Sequence, residues 1–85
     1  MNLCIVMGKI ISEIEFKFII DSKNKSIVEF EIETLDSNIV KIYGYNEIAD
    51  YCYRKLSIYD NILIEGIVCQ NVKVEIKQIT KLINK

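Results

Sequence analysis

An all-β domain closed into a small barrel is the fold class that three features of the chain predict. Apolar and polar residues alternate at a period of two along several separate stretches, as in strands with one face buried. Glycine interrupts three strand-like runs, at Gly8, Gly44 and Gly66, where barrel corners and close backbone approaches need it. A single stripe of apolar residues falls at helical spacing. The chain has 85 residues, and dividing them would leave each part too short to bury a core, so one domain spanning 1–85 is expected.

Residues 3–20 are rich in Ile, Val and Phe and read as one long strand bent at Gly8. The turn-forming run Asp21-Ser22-Lys23-Asn24-Lys25-Ser26 follows and predicts an exposed hairpin loop. From Ile27 to Thr34 the alternation is clean, with Val28, Phe30 and Ile32 on one face and Glu29, Glu31 and Glu33 on the other. Asp36-Ser37-Asn38 makes the next turn. The third strand, Ile39 to Tyr45, sets Val40, Ile42 and Gly44 against Ile39, Lys41, Tyr43 and Tyr45. Asn46 is placed to cap a helix of about three turns. Ile48, Ala49, Cys52 and Leu56 form its apolar stripe, and Arg54 and Lys55 lie in its last turn, where they complement the helix dipole. Residues 62–68 and 72–77 are two further strands, joined by a tight turn at Cys69-Gln70-Asn71.

Composition excludes several chemistries. The chain contains no His, Pro or Trp, which removes His-based acid/base catalysis, the triad-type nucleophiles and most zinc sites. Asp and Glu are plentiful, yet no pair is marked out by spacing and no Gly-rich loop could cradle a phosphate. The expectation is a protein without enzymatic activity, cofactor or metal. Cys4, Cys52 and Cys69 fit neither a metal knuckle nor a disulfide framework and read as buried free thiols. The apolar start has no preceding basic residue and no cleavage signal, and no apolar run is long enough to span a bilayer, so a cytoplasmic protein away from membranes is expected.

Five strands in the order β-β-β-α-β-β, the first one bent, are the elements of the OB-fold: a five-stranded Greek-key barrel with one short helix between strands 3 and 4. An open antiparallel sheet packed on one helix is the rival, and the three intra-strand glycines favour the barrel. The residues also resemble the bacterial single-stranded DNA-binding protein family. Asn2-Leu3-Cys4-Ile5-Val6-Met7-Gly8-Lys9-Ile10 is similar to its N-x-V-x-L-x-G-R-L opening, and Glu15-Phe16-Lys17-Phe18 to its E-L-R-Y step. Val28-Glu29-Phe30-Glu31-Ile32 and Val40-Lys41-Ile42-Tyr43-Gly44 resemble its second and third strands. Ile48-Ala49-Asp50-Tyr51, with Leu56, Asp60 and Glu65-Gly66, follows its helix and the L-x-x-G-D-x-x-x-x-E-G segment.

The departures are informative. Tyr59 stands where the family has glycine before the aspartate, and the hairpin between the last two strands is shortened to a few residues. The acidic-tipped tail through which the family recruits other proteins is missing after Ile83-Asn84-Lys85, so tail-mediated recruitment is not expected. Among the family's stacking aromatics only Tyr43 has a clear counterpart.

What the resemblance implies is non-sequence-specific binding of single-stranded DNA, in a replication, repair or recombination setting. Such binding needs aromatic faces for the bases and cations for the phosphates. The candidate platforms are Tyr43, Tyr45 and Phe18; the candidate phosphate contacts are Lys9, Lys17, Lys41, Lys73 and Lys77. The sequence pI near 5.4 and the Glu29, Glu31 and Glu33 stripe oppose that role if the stripe faces the groove. The alternative is an OB-fold module that binds a protein and little or no nucleic acid. With Val40, Ile42, Ile62, Ile64 and Val68 turned inward, Leu35, Ile39, Leu63 and Ile67 point out, joined by part of Leu3, Ile5 and Met7. This aliphatic surface is too large for a monomer and predicts a homodimer or homotetramer, as does the resemblance.

Overall fold

The computed structural model describes residues 2–20, 25–69 and 73–82. Seven elements occur among the described residues: β1 (Leu3–Ile10), β2 (Glu15–Ile19), β3 (Lys25–Thr34), β4 (Ile39–Tyr45), α1 (Glu47–Lys55), β5 (Asn61–Cys69) and β6 (Lys73–Leu82). The strands hydrogen-bond in the order β1-β5-β6-β4-β3-β2, and β1 also pairs with β3, which closes β1, β5, β6, β4 and β3 into a five-stranded barrel. β4 and β6 run parallel; every other pairing is antiparallel. The architecture is the OB-fold with its helix between β4 and β5.

The long bent strand expected over 3–20 is two strands, with the break at 11–14 and not at Gly8. They still act as one in the barrel. β1 pairs with the C-terminal end of β3 through Gly8↔Thr34 and Ile10↔Ile32, and β2 continues along the same edge from Glu15↔Glu29 to Ile19↔Lys25. Inside the break the Ile11 N–H donates to the Glu31 carbonyl at 3.0 Å, and Ser12 Oγ accepts from the Glu31 N–H at 2.8 Å. A side chain and a loop amide thus replace the missing ladder where the chain bends. Gly8 has a different duty. There β1 is flanked by Ile62 on β5 and Thr34 on β3, and a Cβ would stand 2.6 Å from the Glu33 carbonyl oxygen. Closure of the barrel therefore demands glycine.

The core is aliphatic: Ile10, Val28, Phe30, Ile32, Ile42, Ile62, Ile64, Val74 and Ile76 fill the barrel, and Ala49, Cys52 and Leu56 of the helical segment pack against them. A fully buried Ile contributes roughly 2–3 kcal/mol, so this cluster is the main source of stability. Burial on β3 and β4 follows the alternation read from the sequence. On β5, Ile62 and Ile64 are buried, but Val68, expected inside, is exposed; it lies just beyond Leu3↔Ile67, the last registered pair between β1 and β5. Leu63 and Ile67, expected outside, are half-buried. β6 continues to Leu82, beyond the expected end at 77; a register shift opposite Glu65/Gly66 restores pairing, so that Ile79 meets Ile64. That irregularity broke the alternation on which the shorter strand was based.

Asn46 occupies the N-cap position without capping. Its φ is 56° and its side chain makes no cap hydrogen bond; instead Oδ1 accepts from the Ser26 N–H at 3.4 Å, tying α1 to β3. Residues 21–24 of the expected hairpin loop, and 70–72, covering most of the expected tight turn and the start of the last strand, lie outside the described residues.

Candidate nucleic-acid interface

Registered partners across a sheet point to the same side, so the pairings above sort the outward residues of β2, β3, β4 and β6 into rows. Lys17, Ile27 and Tyr45 form one row. Glu15, Glu29, Tyr43 and Glu75 form the next. Glu31, Lys41 and Lys73 follow, and Lys9, Glu33 and Ile39 complete the face.

Tyr43 stands at the centre. Its ring lies edge-on to Tyr45, centroids 5.7 Å apart and planes at 81°. A hydrogen bond with the Cys69 side chain, burial, and the nearby Glu75 and Tyr45 hold the Tyr43 phenol above its ordinary range, so it stays neutral at physiological pH. Two concavities meet at this ring. One, of about 270 Å³, is lined by Ser12, Glu29, Glu31, Lys41 and Tyr43, among others; the second, of about 350 Å³, by Ile27, Glu29, Tyr43, Tyr45, Cys69 and Lys73. Lys73 borders both. Among the described residues neither Lys41 nor Lys73 has a carboxylate within ion-pair distance. Their ammonium groups are available to an anion.

The eight predicted site residues do not all meet. Tyr43, Tyr45, Lys17, Lys41 and Lys73 share the face, with Lys9 at its far row. Phe18 is excluded by alternation: it follows Lys17, points to the opposite side of β2, and is 61% exposed there. That side is where Phe16 packs on Tyr53 of α1, ring centroids 4.9 Å apart. Lys77 sits at the β6 irregularity, bonds Glu75 at 2.9 Å, and borders a concavity of about 520 Å³ with Leu3, Cys4, Ile5, Glu65, Gly66 and Gln78.

Lys25 was missed in the sequence reading. Its Nζ lies 5.6 Å from the Tyr45 ring centroid, within cation–π range. The signal was present: Lys25 has the parity of Ile27 and Glu29, but its place in a turn-forming run hid its membership of β3. The orientation of the acidic stripe is now settled. Glu29 and Glu31 face the groove beside Tyr43 and Lys41, and with Glu15, Glu33 and Glu75 the carboxylates of the face match its lysines, Lys9, Lys17, Lys25, Lys41 and Lys73, in number. No group of His, Cys, Asp and Glu among the described residues is arranged to hold a metal ion, and no helix there is long and apolar enough to cross a membrane.

No family model matches the chain, and no curated protein matches it in sequence. Solved structures do match in shape. The SSB domain of a Synechococcus protein superposes with a TM-score of 0.82 at 15% identity, covering 93% of each chain. Wild-type single-stranded DNA-binding protein from Thermus aquaticus gives 0.86 at 15% identity over 100% of this chain, which spans 42% of that one. The mitochondrial single-stranded DNA-binding protein Rim1 of S. cerevisiae gives 0.79 at 19% identity over 99% and 97% of the two chains. The fold expected from the motifs is therefore the fold found. The chain has the OB architecture of single-stranded DNA-binding domains, with a sequence far from each of them.

Proposed function

We propose that this domain binds single-stranded DNA without sequence preference, as a non-enzymatic accessory of cytoplasmic replication, repair or recombination. One observation carries the reading: Tyr43 and Tyr45 stand together on the outer face of a barrel shaped like those of single-stranded DNA-binding proteins, with Lys17, Lys25, Lys41 and Lys73 around them. A base stacks on the exposed side of Tyr43, and Lys41 and Lys73 on the neighbouring row take the flanking phosphates. Glu29 and Glu31 lower affinity by repelling the backbone, so binding is weak, and it falls with salt because Lys41 and Lys73 act by displacing counterions from the phosphates. The part of the β1 edge that is unpaired among the described residues, Leu3 to Met7, is the proposed seat of a second copy, since Leu3 and Ile5 are 71% and 72% exposed.

The test is a fluorescence anisotropy titration of labelled oligo-dT, with a duplex control, at low and physiological salt. Preferential binding of the single strand is expected. Tyr43→Ala removes a stacking platform worth about 1–3 kcal/mol, a loss of roughly tenfold or more in affinity. Lys41→Glu weakens binding and flattens the salt dependence. Unchanged binding in both variants rejects the site. The acidic rows favour one other reading, an interaction module whose Glu29 and Glu31 receive a basic protein segment; absence of single-strand binding even at low salt would select it.

A further inference from the structure

β2 is the end strand of the sheet: one edge pairs with β3 and the other is unpaired among the described residues. It is also apolar on its inner-facing side, where Phe18 is exposed next to half-buried Phe16, and the chain continues into Ile20, 83% exposed. An open edge of this kind is a template for another strand. The residues on it choose the occupant.

We infer that the β2 edge pairs antiparallel with β2 of a second copy about a two-fold axis at Phe16. Two-fold symmetry requires each residue to face its counterpart at a constant sum of positions, so few registers exist. Centring on Phe16 sets Glu15 opposite the partner's Lys17 and Lys17 opposite the partner's Glu15, with Phe16 against its own copy and Phe18 against the partner's Ile14. Centring on Glu15 opposes two carboxylates; centring on Lys17 opposes two ammonium groups; both are penalised directly across a ladder. Centring on Phe18 leaves Lys17 opposite Ile19. Among the residues of β2 itself only the Phe16 register matches charge with charge, and it brings the partner chain alongside Phe18. Within one copy Glu15 and Lys17 are only 4.0 Å apart at the limit of an ion pair, and both are well exposed, so each is available to a partner across the edge.

This edge is distinct from the unpaired β1 edge, and it has a consequence for the Tyr43 face. Glu15 and Lys17 belong to the same outward rows as Tyr43 and Tyr45. Pairing β2 with its copy joins the two outer faces into one continuous sheet, with the Tyr43 positions separated by five strand spacings, about 24 Å. A single extended ligand could then lie across both.

The experiment measures mass against concentration by sedimentation velocity for the wild type, Lys17→Glu and the double variant Glu15→Lys/Lys17→Glu. Both positions are exposed, and circular dichroism confirms that the variants fold. The single change places Glu15 opposite a glutamate on each side of the axis and weakens this association about tenfold. The double change restores opposite charges in the same register and restores association. Wild-type and Lys17→Glu proteins of equal mass at every concentration would overturn the inference, as would a double variant no better associated than the single one.

Discussion

The outside of the barrel differs sharply between its two halves. Around β1 and the start of β5 it is aliphatic, with Leu3, Ile5 and Met7 exposed on a partly unpaired edge. Around β3, β4 and β6 it carries Tyr43, Tyr45 and alternating rows of lysine and glutamate. Both halves enclose the same isoleucine core, so the interior imposes no such division. The difference teaches that alternation secures the fold through one face of each strand and leaves the other free to specialise. An aliphatic face gains by being covered by protein, whereas a charged aromatic face retains water and suits a solvated ligand.

The two halves are joined at Gly66. A Cβ there would press into the carbonyl of Glu75 and approach Val74 Cγ1 at 2.8 Å, so β5 and β6 lie close only because the side chain is absent. Gly66→Ala should cost about 1–3 kcal/mol, because the obstacle is backbone and cannot rotate away. Chemical denaturation measures it. The displaced Glu75 stands in register with Tyr43, so ligand affinity at that face should fall as well. Loss of stability with affinity intact would show that the two halves are mechanically independent.

Much of this was readable in the chain, for a physical reason. Val28, Phe30 and Ile32 alternate with glutamates because one side of β3 is dry and the other wet, and the same pattern placed Lys41, Tyr43 and Tyr45 together on β4. Phe18 was misplaced because β2 is an edge strand with no filled core beneath its far end, so an apolar residue there follows parity without being buried. Lys25 was overlooked because turn-forming residues run into β3. The extension of β6 was hidden by its irregularity at Lys77, which interrupts the period. The facing of Glu29 and Glu31 depended on which strands surround β3, a long-range fact that local pattern cannot supply.

The thiols report on the same division. Cys52 is fully buried and its pKa is pushed up to about 12, so it should resist alkylation in the native protein while half-buried Cys4 and Cys69 react. Cys69 adjoins Tyr43, whereas Cys4 adjoins Leu3 and Ile5. A single strand bound at the Tyr43 face should slow alkylation of Cys69 and leave Cys4 unchanged, as read by mass spectrometry; equal protection of both would break the division. For Cys52 and Tyr43 the folded protein favours the protonated form. Their stabilisation is therefore complete below the unfolded pKa values, near pH 9 for the thiol and 10 for the phenol. It is lost as pH rises through the folded values, so stability should decline above pH 9. A flat profile between pH 9 and 11 would contradict the burial of Cys52.

Tyr59 belongs to neither half and supplies the smallest effect. Its φ is 76°, the left-handed region in which a side chain is strained, and it is 67% exposed, so packing returns little. The conformation is held from both sides. The Tyr59 N–H donates to the Ile10 carbonyl at 2.8 Å, and the Ile10 N–H donates to the Asp60 carbonyl at 2.9 Å, which ties the turn to the end of β1. Asp60 further accepts from the Ser57 N–H at 2.8 Å. The strain costs about 1–2 kcal/mol, and glycine would remove it while adding about 0.5–1 kcal/mol of unfolded-state entropy. Tyr59→Gly should therefore raise stability by about 1 kcal/mol in chemical denaturation, with single-strand affinity unchanged. A variant that is stabilised but binds more weakly would make Tyr59 part of the ligand surface, and the contact region would then extend beyond the β3, β4 and β6 face to the end of β1.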